Sequence, residues 1–395
     1  MRIGVAGPID ITMLRDFFSP HAEIPNTYSF PLTAHLARAL HNRGHEIVLF
    51  ALSRDVKNTR RIDGERISAY ICPQRRPRRQ MLDFFRGERH GLRDAMRVSG
   101  CDVIHAHWTY EFGSAAVESG LPCVVTAHDV PTVVMGFARH PYWLEKPLLA
   151  WPVLRKARCV TAVSPYLARA LRRFVKPSRE IIVIPNGATP EVFALYEERK
   201  RRSQGGPFKF ASVLNGWSAL KNGTRLVEAF GILRKDFGTG VELSMFGDGH
   251  ERGGPAHQWS RHRHLEDGIE FAGSLPNGTL MTRLAQSADV LVHPSREETH
   301  GMAVTDAMAM AIPVIGGMKS GAIPSVLAHG KAGLLVDVAS PSSIASGMRT
   351  LLEDDSLRSI LAQSGRQRAL DEYRLEAVAA RYENVLSKAR EEQSR

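Results

Sequence analysis

The sequence predicts an α/β protein with two Rossmann-like domains, each built on a doubly wound parallel sheet. Its 395 residues exceed what a single hydrophobic core usually serves, which favours two domains. Short apolar segments recur along both halves without polar alternation, which is typical of parallel strands covered by helices on both faces. Ligands of such sheets bind beyond the carboxyl ends of the strands, so we expect the site in a central cleft between the domains.

The first domain is predicted to span residues 1–195 and to begin with a β-α-β unit. Residues 2–6 and 46–52 are its strands, and Pro31 to Asn42 carry helical periodicity between them. Gly44 follows this helix at a position suited to a left-handed C-cap. Further buried strands are predicted at residues 103–106, 123–126, 159–163 and 181–184.

A charged, glycine-containing segment at 196–207 interrupts the pattern and predicts a linker. The second domain then covers 208–372 and begins with a strand and a helix at about 223–237. Its strands are predicted at 208–214, 241–246, 269–272, 290–293, 314–315 and 333–336. Two late helical patterns, at about 356–370 and 375–392, close the chain, and we expect the segment 373–395 to pack back on the first domain.

The composition is that of an ordinary globular protein, with 43% hydrophobic and 24% charged residues. Its four cysteines are scattered without a metal-ligand spacing, which predicts reduced thiols in a cytoplasmic protein. The N-terminal residues turn polar too early for a signal peptide, and the longest uncharged stretch, 307–318, is too short to span a membrane. Secreted and integral membrane classes are therefore not expected.

A basic segment at 75–97 concentrates much of the net charge of +11. Its arginines are Arg75, Arg76, Arg78, Arg79, Arg86, Arg89, Arg93 and Arg97. Such a segment can be a solvated face, or a surface for phosphorylated acceptors or for anionic lipid at the inner face of a membrane. The segment from Met81 to Phe85 supplies apolar residues beside these arginines, which supports peripheral contact with a membrane. No recognisable RNA- or DNA-binding motif is present, so no nucleic-acid partner is expected.

The most specific segment runs from Pro294 to Ala309. It follows a predicted strand, turns through Gly301 and opens a helix that carries Asp306. Free N–H groups at a helix N-terminus favour an anionic ligand, here a diphosphate. Glu298 before the turn and Asp306 on the helix are placed to hold hydroxyls on the sugar and ribose sides of such a ligand.

This segment, with Pro313-Val314-Ile315 after it, resembles the signature of the retaining GT-B glycosyltransferases of family four, which carry Glu-x7-Glu before Ala-Met-Ala-x-Gly-x-Pro-Val. Glu298 and Gly301 match, and Asp306 stands where the second Glu is expected. Further matches lie at residues 102–108, 126–129, 162–164, 184–187, 246–249, 269–273 and 288–295. The resemblance implies the GT-B fold, with the donor in the second domain and the acceptor mainly in the first.

The resemblance also implies roles on the donor side. Glu298 would orient the sugar, Asp306 would contact the ribose, and Lys221 would stabilise the departing diphosphate. The family's arginine five residues earlier is replaced by Gly216. Three interpretations stay open: Arg296 or another cation substitutes for the arginine, Lys221 and the helix N-terminus suffice to stabilise the diphosphate, or the activity is low. The expected donor-binding residues are Gly216, Gly247, Gly249, Glu298, His300, Gly301, Met302 and Asp306.

His128 matches a family position near the donor sugar and joins Lys221 and Glu298 in the expected catalytic set. The pair His105 and His107 lacks further ligands at a suitable spacing and is a weak signal for a metal site. No Asp-x-Asp sequence occurs, which favours protein cations over a metal ion at the diphosphate. Neither a metal nor a cofactor is therefore expected.

The acceptor side is expected to include Asp10, Tyr28 and His107. Asp10 and Tyr28 lie in a long irregular segment after the first strand, and segments of this kind are often functional. The alternative is a plain surface loop.

The predicted function is retaining transfer of a hexosyl group from a UDP- or GDP-linked sugar to a glycan or lipid-linked acceptor in cell-surface polysaccharide synthesis. By the resemblance, the departing diphosphate takes the acceptor proton. Two alternatives stay open: an epimerase of nucleotide sugars on the same fold, and a degenerate homologue that binds nucleotide or glycan without catalysis. The sequence does not name the donor, the acceptor or the oligomeric state.

Overall fold

The computed structural model describes residues 1–28, 30–133, 142–176, 180–201 and 205–393. The chain divides into two compact units, one formed by Met1–Gly187 with Leu375–Arg395 and the other by Ala188–Arg374. In the part of the chain that the structure describes, each unit contains one β-sheet. Within the described ranges, no helix is long and apolar enough to cross a membrane.

The first unit contains an eight-stranded sheet in the order β3-β4-β2-β1-β5-β6-β7-β8. The strands are β1 Arg2–Ala6, β2 Glu46–Ser53, β3 Arg60–Asp63, β4 Ile67–Pro73, β5 Val103–His107, β6 Cys123–Ala127, β7 Cys159–Ala162 and β8 Ile181–Val183. All neighbours are parallel except β3 and β4, which form an antiparallel edge. The sequence did not predict this edge, since three of the four residues of β3 are exposed and it lacks an apolar run.

Helices cover both faces of this sheet. They are α1 Pro31–Asn42, α2 Pro77–Leu82, α3 Arg86–Val98, α4 Glu111–Ser119, α5 Tyr142–Lys156, α6 Pro165–Leu171 and, from the end of the chain, α15 Leu375–Gln393. Successive residues of β2 enter two different cores, because Val48 and Phe50 pack on one face while Ile47 and Leu49 pack on the other. Burial on both faces explains the apolar run without polar alternation.

The second unit contains a six-stranded parallel sheet in the order β11-β10-β9-β12-β13-β14. The strands are β9 Phe208–Val213, β10 Val241–Phe246, β11 Ile269–Gly273, β12 Val290–His293, β13 Val314–Gly317 and β14 Leu334–Val336. Its helices are α7 Pro190–Lys200, α8 Gly223–Phe237, α9 Pro255–Arg261, α10 Asn277–Ser287, α11 Met302–Ala309, α12 Ile323–Val326, α13 Pro341–Glu353 and α14 Asp355–Glu372.

The boundary between the units differs from the predicted linker at 196–207. Residues 190–200 form α7, which belongs to the second unit and packs on α10 and α11. The guanidinium carbon of Arg366 lies 3.7 Å from the ring centroid of Tyr196, and this contact fixes the helix in place. The chain instead passes between the units at Gly187 and again at Arg374, and α15 belongs to the first unit.

Candidate functional site

One cluster of polar side chains in the second unit joins Lys221, His293 and Glu298. His293 ends β12, Glu298 lies between β12 and α11, and Lys221 lies in the loop after β9. Because β9 and β12 are neighbours in the parallel sheet, their carboxyl ends bring the three side chains together. Lys221 Nζ lies 2.6 Å from Glu298 Oε1, and His293 Nε2 lies 3.2 Å from the same oxygen.

The surroundings keep Glu298 ionised. Burial raises the pKa of a carboxyl group, but the hydrogen bond from His293 and the charge of Lys221 outweigh it and hold the pKa of Glu298 well below its ordinary value. The Glu298 side chain is 15% exposed, so most of it is shielded from water while one edge stays accessible. The cluster therefore offers a fixed carboxylate beside a fixed ammonium group.

Gly301 makes the turn from this cluster into α11. Its φ is +89°, in the left-handed region that favours glycine. A Cβ at this position would lie 2.7 Å from Ile323 Cδ1, so a larger residue would also collide with its neighbour. Met302 opens the helix, and the first turn of a helix has free N–H groups that attract anions.

His300 and Asp306 lie on either side of this turn. His300 is buried, its ring lies 5.5 Å from the Tyr373 ring, and neither ring nitrogen has a partner among the described residues. Burial lowers the pKa of His300 to about 4, so the ring is neutral at pH 7. Asp306 is partly buried on α11, and burial raises its pKa to about 7. Hydrogen-bond donors of a ligand would favour its ionised form.

The loops after β9 and β10 pack against each other through glycines. The Gly216 N–H donates to the Asp248 carbonyl oxygen over 3.1 Å. Gly247 has a φ of +114°, and a Cβ there would lie 1.9 Å from the Leu214 carbonyl oxygen. Gly249 also has a positive φ, of +78°. Gly216 likewise has a positive φ, of +93°, so all three glycines set the loop geometry, although an added Cβ at Gly216 would meet no atom within 4 Å.

Arg296 was considered as a substitute for the family's arginine, but its guanidinium group contacts Asn222. Its Nε donates to Asn222 Oδ1 over 3.2 Å, and it lines a cavity of about 450 Å³ together with Trp217 and Trp259. Arg296 therefore lies on the Asn222 side of the loop and is not part of the Lys221–Glu298 pair.

In the first unit, histidines at the carboxyl ends of two neighbouring strands face each other. His107 Nδ1 lies 2.9 Å from His128 Nε2. Burial lowers the pKa of His107 well below its ordinary value, so this ring is neutral. His105 Nε2 bonds Thr126 Oγ1 over 2.8 Å within the core. Among the described residues, no group of three or more His, Cys, Asp or Glu is placed to hold a metal ion.

Two family models match the chain in succession. The model described as Glycosyltransferase Family 4 matches residues 32–192, and the model described as Glycosyl transferases group 1 matches residues 197–368. Together they account for most of both units. The chain belongs to the GT4-type glycosyltransferases.

Named relatives of this glycosyltransferase are identical to it at about a quarter of the aligned positions. It is 24% identical over 296 residues to N-acetyl-alpha-D-glucosaminyl L-malate synthase of Bacillus anthracis, covering 72% of this chain and 74% of the relative. It is 26% identical over 340 residues to a GDP-mannose-dependent alpha-(1-6)-phosphatidylinositol monomannoside mannosyltransferase of Mycobacterium tuberculosis, covering 74% of this chain and 85% of the relative.

Solved structures confirm the predicted GT-B fold of the glycosyltransferase. Sucrose-phosphate synthase from Thermosynechococcus elongatus matches with a TM-score of 0.76 at 17% identity, over 98% of each chain. Anabaena HepE in complex with UDP and glucose matches with a TM-score of 0.70 at 17% identity, over 98% of this chain and 100% of the other.

The three residues expected on the acceptor side of the glycosyltransferase lie in different surroundings in the structure. Tyr28 lines a cavity of about 540 Å³ in the first unit. Asp10 instead caps the short helix Ile11–Phe17, where its Oδ1 accepts the Thr12 N–H over 3.1 Å. His107 is buried and bonded to His128. The structure therefore places only Tyr28 of these three residues in the lining of that cavity.

Sequence reasoning missed four polar residues near these sites. His293 completes the contacts of Glu298, and Glu111, Asp129 and Lys146 line the cavity beside Tyr28. The first two cavity residues follow predicted strands closely, at the positions where parallel sheets bind ligands. Their place in the chain was therefore a usable signal for Glu111 and Asp129.

Proposed function

We propose that this glycosyltransferase moves a hexosyl group, with retention of configuration, from a nucleotide-diphosphate sugar to a glycan or lipid-linked acceptor. The observation that carries the proposal is the ion pair between Lys221, in the loop after β9, and Glu298, just before α11. A cation, a carboxylate and a helix N-terminus suit the diphosphate and the sugar hydroxyls of such a donor. The mycobacterial relative is named for GDP-mannose, and the HepE structure contains UDP and glucose, which supports this donor class.

Lys221 and the N-terminus of α11 would stabilise the leaving group. As the bond between sugar C1 and the diphosphate oxygen breaks, negative charge grows on the diphosphate. Lys221 is already held by Glu298, so its ammonium group needs little reorganisation to meet that charge. Loss of one preorganised contact of this kind lowers kcat by roughly 100- to 1,000-fold.

Glu298 would hold the donor sugar by accepting its hydroxyl hydrogens, and Asp306 would accept those of the ribose. The acceptor oxygen bonds to C1 on the face from which the diphosphate departs, and its proton passes to the departing diphosphate oxygen. No protein base is then required. His128 would lie near the sugar, where its hydrogen bond to His107 fixes the orientation of the ring.

The proposed transfer does not use a metal ion. Gly216 supplies no guanidinium group, so Lys221 and the helix N-terminus would carry the diphosphate charge between them. We expect turnover to be unchanged by EDTA. A turnover that stops with EDTA and returns with Mg²⁺ or Mn²⁺ would contradict this part of the proposal.

Thermal-shift titrations with UDP, GDP, ADP and their sugar conjugates test the donor class. We expect one nucleotide to raise the melting temperature of the parent, and Glu298→Ala and Lys221→Ala to reduce that rise. Arg225→Ala is a matched control, because its ion pair with Glu228 is partly exposed and lies on α8. NMR of the product then reads the anomeric configuration, and an inverted product would exclude retention.

A second function, binding of nucleotide or glycan without turnover, is favoured by one observation, the glycine at position 216 where the family carries arginine. It predicts a nucleotide-induced thermal shift with no product for any acceptor. It also predicts that Glu298→Ala has no effect in cells.

We further propose peripheral contact with an anionic membrane through part of the segment 75–97. Arg75 is engaged elsewhere, because it pairs with Asp83 and Glu88. The exposed residues that we term the arginine patch are Arg76, Arg78, Arg79, Leu82, Phe84 and Arg86. Leu82 is 84% and Phe84 42% exposed, and cations beside exposed apolar side chains suit anionic head groups. A lipid-linked acceptor of cell-surface polysaccharide synthesis would suit such contact.

A further inference from the structure

Asn222 lies buried in the second unit, directly after Lys221 and directly before α8. It is 1% exposed, and its backbone has a φ of +59°, in the left-handed region that asparagine tolerates better than most residues. An asparagine at the start of a helix usually caps it by accepting a backbone N–H. The Asn222 side chain makes no such capping bond. Because glycine would suit the backbone equally well, neither capping nor conformation accounts for the amide group.

The Asn222 amide instead joins three loops at the carboxyl edge of the sheet. Its Nδ2 donates to the Pro294 carbonyl oxygen over 3.0 Å and to the Val338 carbonyl oxygen over 2.8 Å. Pro294 follows β12 and Val338 follows β14, while Asn222 itself follows β9. Its Oδ1 accepts the Arg296 Nε–H over 3.2 Å. Both hydrogens of the amide nitrogen and the amide oxygen are therefore bonded.

The partners of Asn222 fix which way its amide group faces. A carbonyl oxygen only accepts hydrogen bonds, so the nitrogen must face the carbonyl oxygens of Pro294 and Val338. A guanidinium group only donates, so the oxygen must face Arg296. A half-turn of the amide would leave these buried groups without partners, which is unfavourable. The side chain is therefore held in a single orientation.

These bonds frame the ion pair between Lys221 and Glu298. On one side of Lys221, the Leu220 carbonyl oxygen accepts the backbone N–H of Arg296 over 2.9 Å. On the other side, the Asn222 amide bonds to the same loop where it leaves β12. Glu298 lies two residues after Arg296 in that loop. The loop that carries the ammonium group is thus tied to the loop that carries the carboxylate, and of these two ties only that of Asn222 depends on a side chain.

The distance of 2.6 Å between Lys221 Nζ and Glu298 Oε1 depends on how closely these two loops are held. We propose that Asn222 is a positioning residue, whose amide sets this distance and thereby places the ammonium group for the departing diphosphate. The placement at the diphosphate rests on the proposed function, whereas the effect on the ion pair needs no donor. A misplacement of about 1 Å in an active site can lower a rate by about 100-fold.

Guanidinium unfolding of the full chain tests the effect on the ion pair through the coupling between its two charges. The coupling is the difference between the stability lost in Lys221→Ala/Glu298→Gln and the summed losses of the two single variants. In the background of Asn222→Gly, which suits the left-handed backbone, we expect the coupling to fall to about half of its parent value or less. A residue that only stabilised the fold would lower the stability of all four proteins alike and leave the coupling unchanged.

Ser260→Ala is the matched control background. The buried Ser260 hydroxyl also donates to a backbone carbonyl oxygen of the second unit, that of Ala256, over 2.8 Å. Its loss should destabilise the protein and keep the full coupling. Asn222→Asp is a second test background, since it keeps the shape of asparagine but has an oxygen in place of the amide nitrogen, and it should also reduce the coupling. A coupling equal to that of the parent in both Asn222 backgrounds would overturn the proposal.

Turnover separates this proposal from the proposed function. The probe is UDP-glucose or GDP-mannose, whichever the parent converts, with water as the acceptor and release of UDP or GDP as the measured rate. Asn222→Gly should lower kcat about tenfold or more, whereas Ser260→Ala should leave it unchanged. In the Lys221→Ala background, Asn222→Gly should have no further effect on kcat, because the group that it positions is absent.

The two measurements together distinguish the possible failures. An equal loss of kcat from Asn222→Gly with and without Lys221 would overturn the proposal, because Asn222 would then act through another group. A coupling that falls in Asn222→Gly, together with full turnover of Lys221→Ala, would support the positioning of Lys221 and contradict its proposed role at the diphosphate.

Discussion

Removing Lys221 alone should destabilise the second unit more than removing both charges of its ion pair. The side chains of Lys221 and Glu298 are 22% and 15% exposed, so Lys221→Ala leaves a largely shielded carboxylate with His293 as a remaining partner. Breaking a buried ion pair by removing one partner costs about 3–5 kcal/mol. Because this pair keeps an accessible edge, we expect a loss of about 2–3 kcal/mol in the free energy of unfolding.

The double variant Lys221→Ala/Glu298→Gln should recover part of that loss, since no uncompensated charge remains. We expect it to lie within about 1.5 kcal/mol of the parent in guanidinium unfolding. The control cycle uses the more exposed pair Arg225 and Glu228, for which each change should cost less than about 1 kcal/mol. Strictly additive losses in the Lys221 and Glu298 cycle would refute the reasoning.

The pH dependence of this effect has a definite sign. The pKa of Glu298 is lower in the folded protein than in the unfolded chain, where it is about 4.3. Its contribution to stability is therefore complete above that unfolded value and is lost as the pH falls through the folded pKa. The gap in stability between the parent and Lys221→Ala should narrow in acid, and a gap that widens would contradict the assignment.

Three further predictions concern other parts of the molecule. Gly247→Ala should lower the free energy of unfolding by about 2 kcal/mol or more, because its φ is +114° and an added Cβ would lie 1.9 Å from a carbonyl oxygen. Gly278→Ala, with open space around it, should be nearly neutral in the same guanidinium unfolding assay. Nucleotide-sugar affinity measured by calorimetry should rise with pH up to about 7, where burial places the pKa of Asp306, and level off above it, and Asp306→Asn should remove that rise. Reversing the four arginine charges of the arginine patch should abolish co-sedimentation with vesicles that contain anionic lipid. The control reverses four exposed cations of the second unit: Lys235, Arg252, Arg261 and Lys331.

The central strands could be predicted from the sequence because both of their faces are buried. The edge could not, since β3 pairs through its backbone while its side chains are mostly exposed. The boundary between the units was missed for a different reason. The composition of 196–207 suits a linker, but Tyr196 packs under Arg366 and Arg199 donates to the Ala288 carbonyl oxygen. Such long-range contacts override local composition.

The sequence predicted which residues belong to the candidate site better than it predicted the contacts between them. The resemblance singled out Lys221 and Glu298, although 77 residues separate them along the chain. Only the neighbouring positions of β9 and β12 in the sheet make their carboxylate and ammonium groups meet. Glu111 had no family motif to mark it, and its place in the lining of the cavity beside Tyr28 is visible only when the surrounding atoms are placed.

The return of α15 to the first unit has a consequence for the order of folding during synthesis. Tyr382 and Leu386 are buried in the same core as Ile3 and Val5. Every residue of the second unit therefore leaves the ribosome before the first unit has all of its core. Domains usually complete their folding from the N-terminus as the chain emerges. Here the order is reversed, because the first unit gains its last core residues only after the whole second unit has been synthesised.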